Sequence, residues 1–417
     1  MRVHPLILCL WAGFWALAPS PALAQDTADD PGTSVVQPGP TFDVADLWHR
    51  FRHKDEPVQA DTAAEADPQR RFLVVVPAIG SRPSTGFTLG VNGNVAFFAG
   101  DATSTHISSV VGGFRVSQKE QVLSNARFAV FTADDRWFLQ GDNRLNWTSL
   151  NTYALGSDTG TAAAANLRYT FVRLYETAYR MVKPGLFLGG GVNVNARSNI
   201  RAGDGETGLT QSAYLAYSRQ HAFADDRQAS TGSNVGMLFD TRDNAINASH
   251  GWLVSADYRT FFKALGGDAT WQELFLDVRT YRPLTRSGAQ RLAFWMMSDL
   301  VTGGAAPYFD LPTTGGDVRS GRGYSEGRYR GEHLVYGEVE YRGALTRNGM
   351  VGFVAFANAS TIGSAETGAR LFEAYAPAAG VGLRVLLNKR SRTNLTTDWG
   401  WGKAGSRGFY LGIQEAF

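Results

Sequence analysis

From Leu73 to Phe417 the chain is a series of stretches in which apolar residues alternate with small or polar ones, interrupted at intervals by turn residues. A strand sends successive side chains to opposite faces, so a period of two means a sheet with two chemically different faces. The stretches are 73–79, 85–98, 106–117, 122–132, 136–147, 165–181, 185–196, 232–243, 251–262, 269–283, 291–302, 333–345, 350–360, 376–388, 392–402 and 408–417. That gives sixteen strands. Their connections sort by length. Even-to-odd connections are short: "TADD" (132–135), "VKPG" (182–185), "NAINASH" (244–250), "PLTRSGAQ" (283–290), "LTRNG" (345–349) and "KRSR" (389–392). The long ones, 148–164, 197–231, 303–332 and 361–375, all fall on the odd-to-even side. An even strand number with short turns at one end and long loops at the other is the pattern of a transmembrane antiparallel β-barrel. The stretch "SAYLAYSR" (212–219) also alternates, but one more strand there would spoil the sorting, so it belongs to a long outer loop.

The faces agree with this. In "YGEVEYR" (336–342), Val339 and Tyr341 oppose Glu338, Glu340 and Arg342. In "GVGLRVLLN" (380–388), Val381, Leu383, Val385 and Leu387 oppose Gly382, Arg384 and Asn388. In "TNLTTDWGWG" (393–402), Leu395, Trp399 and Trp401 oppose Asn394, Thr396, Asp398 and Gly400. Charge is costly against lipid and tolerable in a wet lumen, so the charged sets face inward. Trp and Tyr near strand ends suit the interfacial girdle. In the last stretch, "GFYLGIQEAF", Phe409, Leu411, Ile413 and Phe417 share the outer parity and Glu415 interrupts it. This places Phe417 on the lipid face of a closing strand, where it would serve as an assembly signal. With 47 glycines, 12% aromatic and 19% charged residues, the chain is only mildly hydrophobic, as apolar-out, polar-in alternation requires. Beyond the N-terminus no apolar run reaches the ~18–20 residues of a membrane helix. The net charge of +2 gives no footing for nucleic acid.

The start of the chain reads as a secretory leader: Arg2, an apolar core from Leu6 to Leu17, and "ALA" before Gln25, with cleavage expected after Ala24. The only cysteine, Cys9, lies inside it, and bulky Leu8 before it argues against a lipoprotein box. Residues 25–72 read as a polar periplasmic linker, with a short amphipathic helix over 41–53 carrying Phe42, Val44, Leu47, Trp48 and Phe51. This predicts three parts: a leader (1–24), the linker (25–72) and the barrel (73–417) in a Gram-negative outer membrane.

"GGDVRSGRGYSEGRYRGEHLVYGEVEYRG" (315–343) and "AGVGLRVLLNKRSRTNLTTDWGWGKAGSRGFYLGIQEAF" (379–417), with "FDTRDNAINASHGW" (239–252), resemble the bacterial surface-antigen barrel of the BamA/TamA superfamily. The resemblance implies sixteen strands and a sixth outer loop folded into the lumen. That loop would carry an Arg-Gly-aromatic motif, here Arg322, Gly323 and Tyr324, whose arginine pairs with acidic residues of the inner wall. Glu338, Glu340 and Asp398 are the nearby inward carboxylates, and sequence leaves open which of them is the partner. Two departures stand out. The leading segment is too short for the POTRA modules of many members, so the chain reads as a short branch lacking them. Where many members carry an Asp, "VAFANAS" (354–360) has no acid.

Other chemistry finds little support. "GYSEG" (323–327) matches G-x-S-x-G but lacks the strand–turn–helix setting of a nucleophile elbow. His49 and His53 have metal spacing on the expected helix, with no Glu or Cys to complete a site. The glycines of "LGGGVN" (188–193) lie in a strand, not in a phosphate-binding loop. The reading is therefore not an enzyme, with no cofactor and no metal. It is a barrel in the lipid bilayer for transport or assembly of proteins, lipoproteins or lipids, with a periplasmic or outer-membrane protein partner. The alternatives are a passive solute channel and an adhesin-like surface barrel. Pro77, which lacks a ladder N–H, marks a weak seam between the first and last strands. Cargo and oligomeric state are left open.

Overall fold

The structure, a computed structural model, describes residues 42–44, 46–47, 71–82, 86–160, 164–203, 208–285, 288–315 and 320–417. The expected leader and most of the linker lie outside these residues. Sixteen strands form one sheet in sequence order: β1 (Phe72–Arg82), β2 (Gly86–Phe97), β3 (Ser108–Ser117), β4 (Val122–Phe131), β5 (Trp137–Thr152), β6 (Ala165–Lys183), β7 (Leu186–Ala202), β8 (Gln228–Asp240), β9 (Gly251–Phe261), β10 (Trp271–Pro283), β11 (Gln290–Gly303), β12 (His333–Ala344), β13 (Val351–Gly363), β14 (Ala376–Asn388), β15 (Thr393–Gly402) and β16 (Arg407–Ile413). Every adjacent pair is antiparallel, and the ends of the ribbon, β1 and β16, lie side by side with no hydrogen-bonded register between them among the described residues. No helix among the described residues is long and apolar enough to cross a membrane; the crossing is made by strands.

Alternation sets the two faces as the sequence predicts. Along β14, buried and exposed residues alternate from Ala376 to Arg384, with Val381 and Leu383 about half exposed on the outside. Trp399 and Trp401 face outward beside Phe409, while Asp398 and Arg384 are buried inside. The stretch 212–219 does lie in an outer loop, but as a helix, α1 (Ala213–Gln220), whose N-cap Ser212 accepts a hydrogen bond from the Leu215 N–H at 3.2 Å. Its tyrosines pack into an aromatic lid at the long-loop end. Tyr217 donates to the Ala306 carbonyl (2.9 Å), Tyr308 to the Tyr153 carbonyl (2.8 Å), and the Tyr214 and Phe309 rings lie 5.2 Å apart.

The short-turn end is closed by the connection after β8, residues 241–250. Ile246 and Ala248 are buried, and Asn247 donates to the Arg392 carbonyl in the β14–β15 turn. His106, from the β2–β3 connection, contacts Asp135 of the β4–β5 turn through Nδ1 (2.5 Å) and the Arg242 carbonyl through Nε2 (3.1 Å). Of the expected helix over 41–53, the described residues show one turn with a reciprocal cap: Asp46 N–H donates to Asp43 Oδ1 and Asp43 N–H to Asp46 Oδ2, both at 3.0 Å. This turn sits on the β14–β15 turn, where Lys389 gives its N–H to Asp43 and its Nζ to Asp46, each at 3.0 Å.

One expected placement is corrected. Phe417 is not on the outer face. The last strand ends at Ile413, Gln414 takes a left-handed φ of 72°, and the chain turns inward. Glu415, which looked like a fault in an apolar face, accepts from Arg384 Nε and Asn394 Nδ2 (both 2.7 Å), and Phe417 packs against Trp295 at 5.2 Å between ring centres. The pull of a buried arginine on Glu415 outweighs the continuation of the strand pattern.

Candidate functional site

The loop between β11 and β12, residues 304–332, enters the lumen and brings Arg322 to the wall made by β12, β14 and β15. Glu338 and Glu340 lie two apart on β12 and therefore share its inner face. Asp398 reaches the same height from β15, in register with Gly382 of β14. Arg322 donates from Nη1 to Asp398 (2.8 Å) and from Nη2 to both Glu338 and Glu340. Its guanidinium lies 3.7 Å from the centre of the Phe356 ring. Burial alone would favour a neutral guanidine, but the three carboxylates hold the pKa of Arg322 well above its ordinary value.

Gly323 follows with φ +108°, and a Cβ there would meet Ala378 Cβ at 2.7 Å, so both the backbone and the space demand glycine. Its N–H donates to the Tyr410 hydroxyl of β16 at 3.0 Å. The Tyr324 hydroxyl donates to the Pro377 carbonyl (2.5 Å) and accepts from the Lys403 N–H (2.9 Å). A side chain on Gly402 would lie 2.5 Å from the Tyr324 ring, so glycine in β15 makes the seat for the loop.

The structure adds members that sequence reasoning missed. Arg342 donates to Glu340 (2.6 Å) and to the Phe417 carbonyl (2.7 Å). Arg384 donates to Asp398 (2.6 Å) and to Glu415 (2.7 Å). Three guanidiniums thus interleave with four carboxylates. Asn358, in the stretch noted for its missing acid, donates to the Arg322 carbonyl (3.0 Å) and to Glu338 (3.3 Å). Both it and the inward arginines share the inner parity, which was legible; their common height was not.

A second attachment of the same loop lies across the lumen. Asp310 accepts from Arg197 of β7 (2.6 Å), Asn195 of β7 (3.0 Å) and Ser230 of β8 (2.7 Å). A cavity of about 800 Å³ remains beside the loop, lined by polar and charged groups including Arg127, Asp142, Arg173, Asp257 and Arg259. At the seam, fully buried Asn94 of β2 donates to Thr393 (3.2 Å) and accepts from Gln414 (3.4 Å). Pro77 lies in β1 opposite Val91, and Phe409 stands outward on β16. Among the described residues no group of His, Cys, Asp and Glu is arranged to hold a metal ion.

The Omp85 superfamily domain matches residues 124–417. No curated protein sequence matches the chain. Among solved structures, BamA from Haemophilus ducreyi lacking POTRA domains 1–3 superposes with a TM-score of 0.51 at 14% identity, over 83% of this chain and 69% of that one. CdiB from Acinetobacter baumannii superposes with a TM-score of 0.52 at 13% identity, over 82% of this chain and 59% of that one, less than two thirds of its length. At such identities the likeness is one of fold. The domain match takes in most of the strands, the loop in the lumen and the last strand, and the chain belongs to the Omp85 superfamily of outer-membrane barrels in Gram-negative bacteria.

Proposed function

We propose that this barrel moves a polypeptide, lipoprotein or lipid into or across the outer membrane by parting β1 from β16, while the loop 304–332 stays seated in the lumen. The observation that carries this reading is the seam. Among the described residues fifteen strand pairs are laddered, and the closing pair is not. Pro77 in β1 has no N–H to give, and Asn94 of β2 reaches past β1 to Thr393 of β15 and to Gln414 beyond the end of β16, so the two ends of the sheet are bridged by side chains. Arg322, Gly323 and Tyr324 fix the loop, with Glu338, Glu340 and Asp398 as the partners of the arginine. Phe417 is enclosed in the folded barrel, so a role as an assembly signal belongs to the chain before it closes. A periplasmic partner would meet the short-turn end, where Asp43 and Asp46 already engage Lys389.

Engineered cysteines across β1 and β16 test this directly. Locking the seam is expected to abolish complementation of a deletion strain, with reducing agent restoring it. Full complementation by the locked protein overturns the reading. The polar cavity beside the loop favours a second reading, a passive solute channel. Conductance in planar bilayers separates the two. A small wild-type conductance that grows on deletion of 304–331 fits the loop-filled barrel, and an equally large, steady conductance in both proteins fits the channel.

A further inference from the structure

Among the described strand residues, the inner parity takes every carboxylate but one. Glu176 of β6 points outward. Its depth follows from β5. Trp137 and Trp147 both face outward on that strand, 44% and 48% exposed, with Leu139, Gly141, Asn143 and Leu145 between them on the same face. Ten residues at ~3.3 Å each, on a strand tilted by ~40°, rise about 25 Å, the height of the apolar band, and tryptophans mark its two borders. Gly141 and Asn143 therefore sit at mid-membrane. Glu176 is in register with Gly141 and accepts a hydrogen bond from Asn143 Nδ2 at 2.8 Å. Its surroundings are Val172, Leu174, Leu188 and Val192, all exposed by 40–52%. The other outward charges near this height of the wall sit at the border: Arg180 lies 5.9 Å from the Trp137 ring, and Arg282 is placed likewise, 5.2 Å from Trp252.

An ionisable side chain facing lipid at mid-membrane calls for a partner. This notch has two further properties. Gly141 makes room for its neighbours, since a Cβ there would meet the Phe128 ring of β4 at 2.2 Å and Glu176 Oε2 at 2.8 Å, so the ring and the carboxylate lie side by side over the glycine. It also carries an acceptor, the carboxylate, beside a donor, the Asn143 amide, so the patch is complementary to itself under a two-fold axis, as an isologous contact requires. We propose that the outer face of β5–β7 around Glu176 and Asn143 is an interface within the membrane, and that its occupant is a second copy of this chain. The Asn143 amide of each copy donates to the Glu176 carboxylate of the other, and the leucines and valines around them supply the packed rim.

The test uses the full-length protein in isolated outer membranes. Cys9 is the only native cysteine, so Val192→Cys on the patch and Val381→Cys on the opposite wall report position. A short bis-maleimide is expected to convert the Val192→Cys protein to a band of twice the monomer mass and to leave the Val381→Cys protein monomeric. Adding Glu176→Leu to Val192→Cys should lower the dimer yield at least tenfold while the unboiled sample keeps the gel mobility of a folded barrel. A monomer at both positions, doubling at both, a dimer indifferent to Glu176→Leu, or a crosslink only to a protein of another mass overturns the proposal.

Discussion

The loop between β11 and β12 is held at two places on opposite walls. At Arg322, three guanidiniums and four carboxylates are packed together, and the loop contributes one cation to an excess of acid from β12, β15 and the chain's last residues. At Asp310, the loop contributes the acid, and one ion pair to Arg197 is supplemented by neutral Asn195 and Ser230. Arg197 also lies 4.4 Å from the centre of the Phe171 ring of β6, which belongs to the wall and not to the loop. The first site depends on its loop residue to neutralise repulsion that the wall creates. The second would keep a partly satisfied arginine if the loop left. The loop should therefore detach more readily at Asp310 than at Arg322.

The largest effect expected is from Arg322→Ala. It leaves Glu338, Glu340 and Asp398 buried and short of a cation, a loss of about 3–5 kcal/mol for a broken buried pair. Tm of the refolded barrel should fall, and conductance should rise as the loop loosens. Arg322→Lys should recover only part of this, because a point charge on a flexible stem does not span three carboxylates. Wild-type stability in the alanine variant would show that the cluster is relaxed without the loop.

Asp310→Asn should cost less, about 1.5–3 kcal/mol for hydrogen bonds to a charged group, and leave conductance near that of the wild type because the Arg322 end still holds. Both anchors serve one loop, so the double variant should depart from additivity by about 0.5–3 kcal/mol. Strict additivity would mean that the two ends act as separate structures.

Asn358→Asp probes the first site from the other direction. The amide donates to the Arg322 carbonyl and to Glu338, and a carboxylate would remove that donor and add a fifth acid. A loss of about 1–3 kcal/mol is expected, read as a lower Tm with the loop still in place. A gain would mean that the cluster has cation to spare.

These two anchors also mark how far the sequence could be read. Parity places a side chain on a face, and it put Glu338, Glu340, Asp398, Arg342 and Arg384 all inward. Height within the barrel depends on register between strands distant in sequence, so the arginines could not be assembled with the acids beforehand. Asp310 had no periodic signal at all: it closes a short helical turn, Tyr308–Asp310, and its partner Arg197 is 113 residues away. Phe417 was misplaced because parity was carried past Ile413, and nothing local in "IQEAF" announces the left-handed Gln414. In "SAYLAYSR" two periods compete, and the cap at Ser212 is the local cue for helix. Sixteen strands were legible because each repeats one signal many times and turn length supports it independently.

The tether at the other end of the lumen sharpens the contrast, because it titrates. His106 faces Asp135, Asp240 and Arg242. Its hydrogen bond to Asp135, against the opposing effect of burial, raises its pKa above the ordinary 6.5. Protonated, the ring donates to Asp135 and to the Arg242 carbonyl, tying the connection 241–250 to the turns beside it. A raised folded-state pKa means that this contribution is complete below pH 6.5 and is lost as pH rises through the folded value. Hydrogen exchange over 243–250 should therefore quicken on passing from acid to alkaline buffer, beyond the intrinsic rate change, while exchange at 320–324 stays level. His106→Gln should abolish the step, since Gln keeps a donor but has no proton to lose. A step that survives in that variant would assign the titration to another group of the floor than His106.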